Sequence, residues 1–434
     1  MFQKLEYKIV SNDCKINVEG LDGHFDPVCV FDSNPETNSF KHIRSSKIIA
    51  IGATRELIIN DSKNALEQLQ QFINAKKSWL FGYLTYDLKN DIEQLSSRNA
   101  DELEFPILHF FFPKVIIQIQ GNNAFVFYDD DFITKNEAAK IYDLSIKPSV
   151  LKEKLKQSTK INVQSKINKQ EYIDVVNKLK QHISKGDIYE VNFCQEFFAK
   201  NTFLNTVEVY ERLNEISQTP FAAYCKFGKH YLMSASPERF LQKNSNRLIS
   251  QPIKGTIKRS ENKLEDEQLK YELQNNSKEQ NENVMIVDLV RNDLSRIARA
   301  GTVKVDELFG IYSFKQVHQM ISTVSCELKK NASFTDIIKN TFPMGSMTGA
   351  PKVSAMKLIE QYESTKRGLY SGAVGYITPD GDFDFNVIIR SILYNAENNY
   401  VSFMVGSAIT DKADAEKEYE ECLLKAKAMF EVLS

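Results

Sequence analysis

The chain has 434 residues, 42% of them hydrophobic and 26% charged, with a formal net charge of −2, which is typical of a globular protein with a sizeable core. This balance lacks the basic excess of a nucleic-acid-binding protein, no run of about 18 apolar residues suggests a membrane span, and the N-terminus is not predicted to carry a secretion signal. Six scattered cysteines without C-x-x-C spacing argue against zinc and disulfides and favour a reducing, cytoplasmic location.

The first 150 residues are predicted to form an N-terminal α/β part. Residues 63–77 have the apolar spacing of a helix, and the apolar run at 79–88 is typical of a strand. Two longer apolar runs flank the turn-prone Gly-Asn-Asn at 121–123, which predicts a hairpin. The polar, lysine-rich segment 151–168 is interpreted as a connection, although such a charge run is also typical of a solvated helix face.

Residues 169–434 are predicted to form a second, larger part. A helix is expected to end at Gly186, a hairpin to turn at Gly228, and a long helix to end at Gly301. Pro-Asp-Gly at 379–381 marks a further turn between two strand-like runs. Because successive strands are joined by turns rather than by helices, we expect antiparallel sheets covered by helices, which is an α+β fold.

Two pairs of glutamates have a spacing that suits metal binding. Glu279 and Glu282 are three residues apart at the start of a predicted helix, and Glu418 and Glu421 are three apart in the last one. Residues at this spacing share a helix face, so each pair presents two carboxylates side by side. If the two helices meet, the carboxylates suit Mg²⁺, a hard ion that takes oxygen ligands. The alternative is that both are ordinary solvated helix ends.

A glycine- and serine-rich loop precedes Pro351. Free backbone N–H groups at the start of the helix that follows form an anion site, which suits a carboxylate or a phosphate. The loop lacks the G-x-x-x-x-G-K-[ST] order of a P-loop, which argues against nucleotide binding. A tight glycine turn without a ligand is the alternative.

Glu238 and Lys254 lie sixteen residues apart in two strand-like segments. If these strands are adjacent, a neutral Glu238 can protonate a leaving hydroxyl, and a lysine whose pKa is lowered by burial can act as a nucleophile. A surface network of Glu238, Arg239 and Lys254 is the alternative. His318 lies in an alternating strand, where a lone histidine is more often a packing residue. Arg390, in an apolar strand, needs either a ligand carboxylate or a structural acid as its partner.

Eight motifs between residues 170 and 430 follow one another in a characteristic order: SPERFL, PIKGT, ENVMIVDLVRNDL, VHQMIST, GSMTGAPK, YSGAVGYI, VIIRS and an acidic final helix. In this order the chain resembles the chorismate-binding enzymes, which include anthranilate synthase component I, aminodeoxychorismate synthase component I, and the isochorismate and salicylate synthases. The N-terminal third resembles the family mainly through FGYLTYDL. The resemblance implies two largely antiparallel β-sheets packed together with helices on the outside, chorismate as the substrate and Mg²⁺ as the cofactor.

The resemblance also implies site residues, by matching motif positions. Glu282 and Glu421 are the implied metal ligands, with Glu279 and Glu418 close by. The implied catalytic residues are Lys254, Glu238, His318 and Thr348. The implied substrate-binding residues are Gly255, Thr256, Gly345, Ser346, Gly349, Tyr370, Arg390, Gly406 and Lys425.

The lysine of PIKGT separates activities within the family. Members that form anthranilate or isochorismate tend to carry alanine at this position, whereas aminodeoxychorismate synthases carry lysine. The implied reaction is attack of Lys254 on ring C2 of chorismate while the C4 hydroxyl leaves with a proton from Glu238. Ammonia then adds at C4 and expels the lysine, which gives 4-amino-4-deoxychorismate for para-aminobenzoate and folate synthesis.

The sequence contains no cysteine in a glycine-rich nucleophile elbow, so the implied ammonia source is a separate glutamine amidotransferase subunit. Anthranilate synthase, isochorismate synthase and salicylate synthase are the alternatives, as is a chorismate-binding protein without activity. Three positions depart from the family pattern: Glu190 stands in place of a glutamine or a lysine base, Met344 in place of a glycine, and GSAI at 406–409 in place of a glycine-richer turn. An acid at position 190 is open to three interpretations: a base, an acceptor from ammonia, or an inert residue.

Overall fold

The structure is a computed structural model that describes residues 2–9, 14–34, 46–148 and 161–434, so residues 151–160 of the predicted connection lie outside the described residues. The helices within these ranges are α1 (Val18–His24), α2 (Ala65–Ala75), α3 (Lys89–Glu93), α4 (Lys135–Ser145), α5 (Lys169–Lys185), α6 (Thr206–Ser217), α7 (Lys263–Gln274), α8 (Ser277–Ile297), α9 (Phe334–Thr341), α10 (Lys352–Tyr362) and α11 (Ala415–Leu433). None of these described helices is long and apolar enough to cross a lipid bilayer. The strands are β1 (Phe2–Lys8), β2 (Cys14–Ile16), β3 (Val28–Asp32), β4 (Ser46–Ile59), β5 (Leu80–Leu84), β6 (Leu108–Gln120), β7 (Asn123–Asp129), β8 (Ile146–Pro148), β9 (Gln164–Ser165), β10 (Glu190–Ala199), β11 (Phe221–Phe227), β12 (His230–Ser236), β13 (Arg239–Asn244), β14 (Arg247–Gln251), β15 (Ile253–Lys258), β16 (Lys304–Ser313), β17 (Val317–Glu327), β18 (Gly349–Ala350), β19 (Ala373–Ile377), β20 (Phe383–Val387), β21 (Ser391–Asn395) and β22 (Tyr400–Ile409).

Apart from the small β2–β8 pair, the strands form one antiparallel network with two arms that diverge at β6. β6 pairs with β4 along its whole length, with β5 through its first half and with β7 through its second half. The first arm runs β7, β6, β4, β3, β11, β12, β21, β22, β10, and the second runs β6, β5, β19, β20, β13, β14, β17. This topology confirms the α+β fold with two largely antiparallel sheet layers.

The two arms share one core, and a second core lies under the helices of the first arm. Met404 of β22 and Phe385 of β20 belong to the shared core. Phe403 and Val405, the neighbours of Met404, belong to the second core together with residues of α5, α6 and α11. Because successive strand residues point to opposite faces, β22 contributes to both cores. On the second arm, α7 and α8 pack against β15 and β17.

Several predicted elements are confirmed. The helix within 63–77 is α2, the Gly-Asn-Asn hairpin is β6–β7, and the hairpin that turns at Gly228 is β11–β12. α5 ends at Gly186, whose φ of 83° is a left-handed conformation that suits glycine. The strand-like run at 79–88 is a strand only as far as Leu84 and continues as a short 3₁₀ turn.

The predicted end of the long helix at Gly301 is wrong. α8 begins after Asn276, whose side chain accepts hydrogen bonds from the first-turn backbone, and it ends at Ile297. Ala298 adopts an extended conformation and bridges Leu328. Pairing with a distant segment therefore ends the helix four residues before the glycine that marks a helix end in the sequence.

Strands from the N-terminal part enter both arms. β3 pairs with β11 in the first arm, and β5 pairs with β19 in the second. Apart from β2 and β8, the strands before residue 148 and those after residue 161 thus belong to the same hydrogen-bonded network.

Candidate active site

A cavity of about 800 Å³ lies where the two arms meet α8 and α11. Its walls come from β15 and β17 of the second arm, β22 of the first arm, and the loop before α10. Most of the residues predicted from the sequence line this cavity: Glu238, Lys254, Gly255, Thr256, Glu279, Glu282, Ser346, Tyr370, Arg390, Gly406, Glu418, Glu421 and Lys425. His318, Gly345, Thr348 and Gly349 are not among its lining residues.

Lys254 reaches the cavity from β15 and forms an ion pair beneath it. Its Nζ lies 3.0 Å from Oε1 of Glu190, the first residue of β10, and the two side chains are 10% and 1% exposed. Burial by itself lowers the pKa of the Lys254 ammonium. The nearby carboxylates, of which Glu190 has the largest effect, raise this pKa by more than burial lowers it, so it lies above its ordinary value. The prediction of a lysine whose pKa is lowered by burial is therefore wrong for the protein without a ligand.

Glu238 is buried between Pro237 and the start of β13. Its Oε1 accepts a hydrogen bond of 2.7 Å from Oγ of Ser346, and its backbone carbonyl accepts one from the N–H of Val387. Burial raises the pKa of Glu238 to about 7, although the Ser346 hydrogen bond and the charge of Lys254 act in the opposite direction. A substantial fraction of this carboxyl is therefore protonated near neutral pH, as a general acid requires.

The two glutamate pairs face the cavity from different helices. Glu279 and Glu282 lie in the first two turns of α8, and Glu418 and Glu421 lie in the first two turns of α11. All four line the cavity. The fold thus brings both pairs to one site, which the metal hypothesis requires.

Lysine ammonium groups lie among these carboxylates. Nζ of Lys278 is 3.2 Å from Oε1 of Glu418 and 3.7 Å from Oε1 of Glu282. Nζ of Lys425 is 2.7 Å from Oε1 of Glu421. In the protein without a ligand, the two lysines supply the positive charge that partly buried carboxylates need.

The glutamates have the chemistry of a site for a hard cation. Burial raises the pKa of Glu282 to about 7, and burial together with repulsion from Glu421 raises the pKa of Glu279. Oε1 of Glu282 is buried without a hydrogen-bond partner among the described residues. Within the described ranges, the acidic set whose ligand atoms lie within 4.8 Å of one another is Asp129–Asp131, not the glutamates. The glutamates fit Mg²⁺ by donor type, burial and mutual repulsion, but their carboxylates are not drawn together at ligand spacing.

Arg390 is a cation of the cavity wall. It lies between β20 and β21 with a left-handed φ of 49°. In the part of the chain that the structure describes, its guanidinium has no ion-pair or hydrogen-bond partner. Burial lowers the pKa of Arg390 to about 10, although the nearby Glu238 raises it. A partly buried cation without an ion-pair partner is costly, so the ligand-carboxylate interpretation of Arg390 is favoured over a structural acid.

Two glycines allow close approaches at the cavity. A Cβ at Gly406 would lie 2.4 Å from Oδ1 of Asn192, so a larger residue would displace that side chain. The carbonyl oxygen of Gly406 accepts a hydrogen bond of 3.0 Å from Nζ of Lys425, which ties α11 to β22. Gly255 has a φ of 94° and brings β15 close to Glu279, because a Cβ there would lie 3.2 Å from Oε2 of the glutamate.

His318 is not brought to the cavity. Val317 and Gln319 of β17 line it, and the residue between them points to the opposite face of the strand. Nδ1 of His318 lies 2.8 Å from Oγ of Ser313, and Nε2 lies 2.9 Å from Oδ1 of Asp266. Burial, with smaller contributions from the charges of Arg259 and Lys270, lowers the pKa of His318 although Asp266 acts in the opposite direction, which favours a neutral imidazole. The structure does not place His318 with Lys254, and its catalytic role stays a prediction.

The glycine loop contributes Ser346 to the cavity, and three other predicted residues shape the loop itself. A Cβ at Gly345 would lie against α8, and one at Gly349 would lie 2.1 Å from the carbonyl oxygen of Glu190. The hydroxyl of Thr348 donates to a backbone carbonyl of the same loop at 3.0 Å. These contacts explain why the loop needs small residues, and the substrate and catalytic roles of the three stay predictions.

Gln319 and Asn192 are two polar residues of the cavity wall that were not predicted from the sequence. Gln319 is 1% exposed, and its Oε1 has no hydrogen-bond partner among the described residues. Nδ2 of Asn192 donates to the carbonyl oxygen of Ser346 at 2.9 Å. Strand alternation points to Gln319, because the neighbour of a residue on one face lies on the other. No local signal marks Asn192.

A family model for chorismate binding enzymes matches residues 26–431 of the chain. The chain belongs to the chorismate-binding enzyme family. An anthranilate synthase component I-like protein of Synechocystis sp. is 34% identical over 375 residues, which cover 86% of this chain and 76% of the relative. Aminodeoxychorismate synthase component 1 of Bacillus subtilis is 32% identical over 80% of this chain and 75% of its own length. The solved structure of anthranilate synthase component I from Streptococcus pneumoniae is similar to this one, with a TM-score of 0.78 at 23% identity. The match covers 91% of this chain and 93% of the Streptococcus chain.

Family membership makes this protein an enzyme that acts on chorismate. Relatives named for two different reactions are similar to it to about the same degree, at 34% and 32% identity. The likeness to the Streptococcus structure supports the fold alone. The choice of product therefore has to be argued from the residues of the cavity.

Proposed function

We propose that the protein is component I of an aminodeoxychorismate synthase, which transfers an amino group from ammonia to chorismate and forms 4-amino-4-deoxychorismate for para-aminobenzoate and folate synthesis. The observation that carries the proposal is the position of Lys254, whose ammonium lies in the wall of the cavity that Glu238 also lines. A nucleophile and a proton donor with a pKa of about 7 are thus available to one ligand.

In the proposed reaction, the neutral amine of Lys254 forms a bond to ring C2, the ring double bonds shift, and the C4–O bond breaks. Glu238 gives its proton to the leaving hydroxyl, which departs as water. Ammonia then forms a bond to C4, and the lysine amine leaves C2. The new C4 ammonium group returns one proton to Glu238. A covalent lysine divides one difficult displacement into two easier ones.

Substrate binding is proposed to use Arg390, whose guanidinium has no ion-pair partner among the described residues, and the glutamates of α8 and α11. The guanidinium of Arg390 is suited to a bidentate contact with one carboxylate of chorismate. The four glutamates of α8 and α11 are the residues that would hold Mg²⁺, which when bound offsets the charge of the ring carboxylate. The hydroxyl of Tyr370 and the ammonium of Lys425 lie in the same wall and complete the polar contacts.

Ammonia is proposed to come from a separate glutamine amidotransferase subunit, and the cytoplasm is the proposed location. Cys194 lies close to the site, with its Sγ 3.8 Å from the hydroxyl of Tyr370. Burial raises the pKa of the Cys194 thiol, the reverse of what a nucleophilic thiol needs. This property supports a partner protein, rather than this thiol, as the site of glutamine hydrolysis.

Anthranilate synthase component I is the second candidate, because a relative named for that activity is 34% identical. The two candidates predict different products from the same substrates. The deciding experiment incubates the purified chain with chorismate, Mg²⁺ and a high concentration of ammonium at alkaline pH, and identifies the products by chromatography and mass spectrometry.

A magnesium-dependent peak of 4-amino-4-deoxychorismate that disappears in Lys254→Ala would support the proposal. Anthranilate, isochorismate or salicylate would overturn the role given to Lys254 and leave the family assignment intact. No turnover, even with an amidotransferase partner, would favour a chorismate-binding protein without activity.

A further inference from the structure

Glu190 is a buried acid that the proposed reaction does not yet use. Its Oε1 lies 3.0 Å from Nζ of Lys254, and its side chain is 1% exposed. Its Oε2 is buried without a hydrogen-bond partner in the part of the chain that the structure describes. Lys254 belongs to the cavity lining and Glu190 does not. Glu190 is therefore positioned to act on a substrate through the lysine.

The lysine has to lose a proton before it can attack carbon, and its surroundings oppose that loss. The charged groups that face it are Glu190 on β10, Glu238 before β13, Glu279 and Glu282 on α8, and Glu421 and Lys425 on α11. Carboxylates dominate this set. If the proton of Lys254 left for solvent, a net negative cluster would remain in a buried site, which favours return of the proton.

We propose that Glu190 receives the proton of Lys254 inside the buried pair and holds it while the lysine amine acts as a nucleophile. An O–H bond forms at Glu190 as an N–H bond breaks at Lys254, so the net charge of the pair stays at zero. When the amine is released at the end of the reaction, the same proton returns to it. The link to chorismate rests on the proposed function, whereas the proton transfer concerns the pair alone.

The geometry favours this role over the other two interpretations of an acid at position 190. Direct acceptance of a proton from ammonia would require Glu190 to line the cavity, and only its hydrogen-bond partner Lys254 does so. An inert acid would not account for a carboxylate that is buried with one oxygen unbonded. Burying two neutral groups also costs less free energy than burying two charges. This difference brings the free energy of the neutral pair, after proton transfer, closer to that of the charged pair.

The proposal has a specific consequence for pH dependence. In a buried Lys–Glu pair, the titration belongs to the pair rather than to either residue. With Glu190, the reactive amine forms without exchange of a proton with water, so its amount does not change across the neutral range. With glutamine at this position, the proton must go to water, and the amine fraction rises about tenfold per pH unit below the lysine pKa.

The experiment measures the rate at which acetic anhydride acetylates Lys254, by peptide mass spectrometry, from about pH 6 to about pH 9. It compares the unsubstituted protein with Glu190→Gln, Glu190→Asp and the matched control Glu196→Gln. Glu196 is another buried acid of β10, and its Oε1 accepts hydrogen bonds from Tyr400 and Ser402 rather than from Lys254.

We expect a flat profile for the unsubstituted protein and for Glu196→Gln, and a rise of about tenfold per pH unit for Glu190→Gln. Glu190→Asp keeps an acceptor and should stay flat at a lower rate. The proposal would be overturned if the acetylation rate rose with the same slope against pH in the unsubstituted protein and in Glu190→Gln. Equal slopes with different absolute rates would also overturn it and would indicate a structural role for Glu190. If Glu190→Gln fails to fold, a tenfold rise per pH unit in the unsubstituted protein is sufficient to overturn it.

This measurement needs neither chorismate nor Mg²⁺, so it is independent of the product assay. A change from flat to rising in a protein that does not aminate chorismate would support the proton transfer and reject the proposed function. Amination together with equal slopes would support the proposed function and reject the role of Glu190.

Discussion

The active cavity and a second cavity of about 500 Å³ differ in how their charges are paired. In the second cavity, Nε and Nη2 of Arg239 donate to the two carboxylate oxygens of Asp384 at 2.9 and 3.0 Å. Asp32 in the same wall lies 2.9 Å from Nζ of Lys47. Each of these charged side chains thus has an ion-pair partner, although Oδ1 of Asp32 has no hydrogen-bond partner among the described residues.

The active cavity also contains ion pairs, but several of its charged residues have no such partner in the part of the chain that the structure describes. Among the described residues, Glu238, Glu279 and Arg390 have no ion-pair partner, and Oε1 of Glu282 has no hydrogen-bond partner. Because leaving buried charges unpaired costs stability, such a cluster is better explained by a ligand than by folding. Volume alone does not distinguish the two cavities, whereas the pairing of charges does.

The largest effect that separates the two cavities is expected for their lysines. Lys254→Ala should lower the rate of amination by on the order of 10³-fold or more, because it removes the nucleophile. Lys243→Ala, in the second cavity, removes an ion pair with Asp382 and should leave the rate within about twofold. Steady-state kinetics with chorismate and ammonium measure the amination rates of both variants. Equal losses of rate in the two variants would contradict the difference inferred between the two cavities.

Glu238→Gln is expected to lower kcat/KM by about 10²- to 10³-fold, the usual range for loss of a general acid. The pKa of Glu238 is raised to about 7, so the protonated form, and with it kcat/KM of the unsubstituted protein, should fall as pH rises through about 7. Glu196→Gln serves as the control, since its carboxyl is also buried but lies outside the cavity lining. An unchanged kcat/KM in Glu238→Gln would contradict the role of Glu238 as the general acid.

The same shift predicts a change in stability. A carboxyl whose folded pKa lies above its unfolded value resists ionisation in the folded state, so it costs stability as pH rises from the unfolded to the folded pKa. Glu238→Gln should therefore raise the free energy of unfolding above about pH 7 relative to its effect at acidic pH. Denaturant unfolding at several pH values tests this, and a pH-independent difference would contradict it.

The two arginines should respond in opposite ways. Arg390→Ala should raise KM for chorismate about 10- to 100-fold, because a charged hydrogen bond is worth about 1.5–3 kcal/mol, and it should leave stability nearly unchanged. Arg239→Ala should lower the free energy of unfolding by about 3 kcal/mol, because it leaves Asp384 unpaired, with little effect on KM. Steady-state kinetics and denaturant unfolding of both variants test this difference. A loss of stability in Arg390→Ala without a change in KM would indicate a structural role for Arg390 rather than a role in substrate binding.

The smallest effect concerns the ammonium among the glutamates. Lys278→Met should strengthen Mg²⁺ binding about threefold, because a half-exposed lysine competes weakly for Glu282 and Glu418. Calorimetric titration with Mg²⁺ in the absence of chorismate measures this directly. Lys270→Met, on α7 and paired with Glu267, is the matched control. Weaker binding in Lys278→Met would mean that the lysine assists the metal rather than competes with it.

Much of the fold could be predicted from the sequence. Alternating apolar residues and turn-forming residues indicate antiparallel strands, and the hairpin at Gly228 and the end of α5 at Gly186 follow from local rules. The end of α8 at Ile297 could not, because pairing of Ala298 with Leu328 depends on a segment distant in the chain. The short strand β5 likewise ends at Leu84, inside an apolar run that looks continuous in the sequence.

For the site, the sequence by itself determined which side chains are available and which of them share a local face. The spacing of Glu279 and Glu282, the order of the motifs and the lysine between Ile253 and Gly255 are visible without coordinates. Family membership follows from these, because motif order is a property of the chain.

Tertiary structure alone decided which of these groups meet and in what charge state. In the folded protein, His318 of β17 points away from the cavity, whereas its neighbour Gln319 lines it. Folding joins Glu190 of β10 to Lys254 of β15, a pair that is 64 residues apart in sequence. Burial and neighbouring charges set pKa values, and both depend on segments that are distant in the chain and close only after folding.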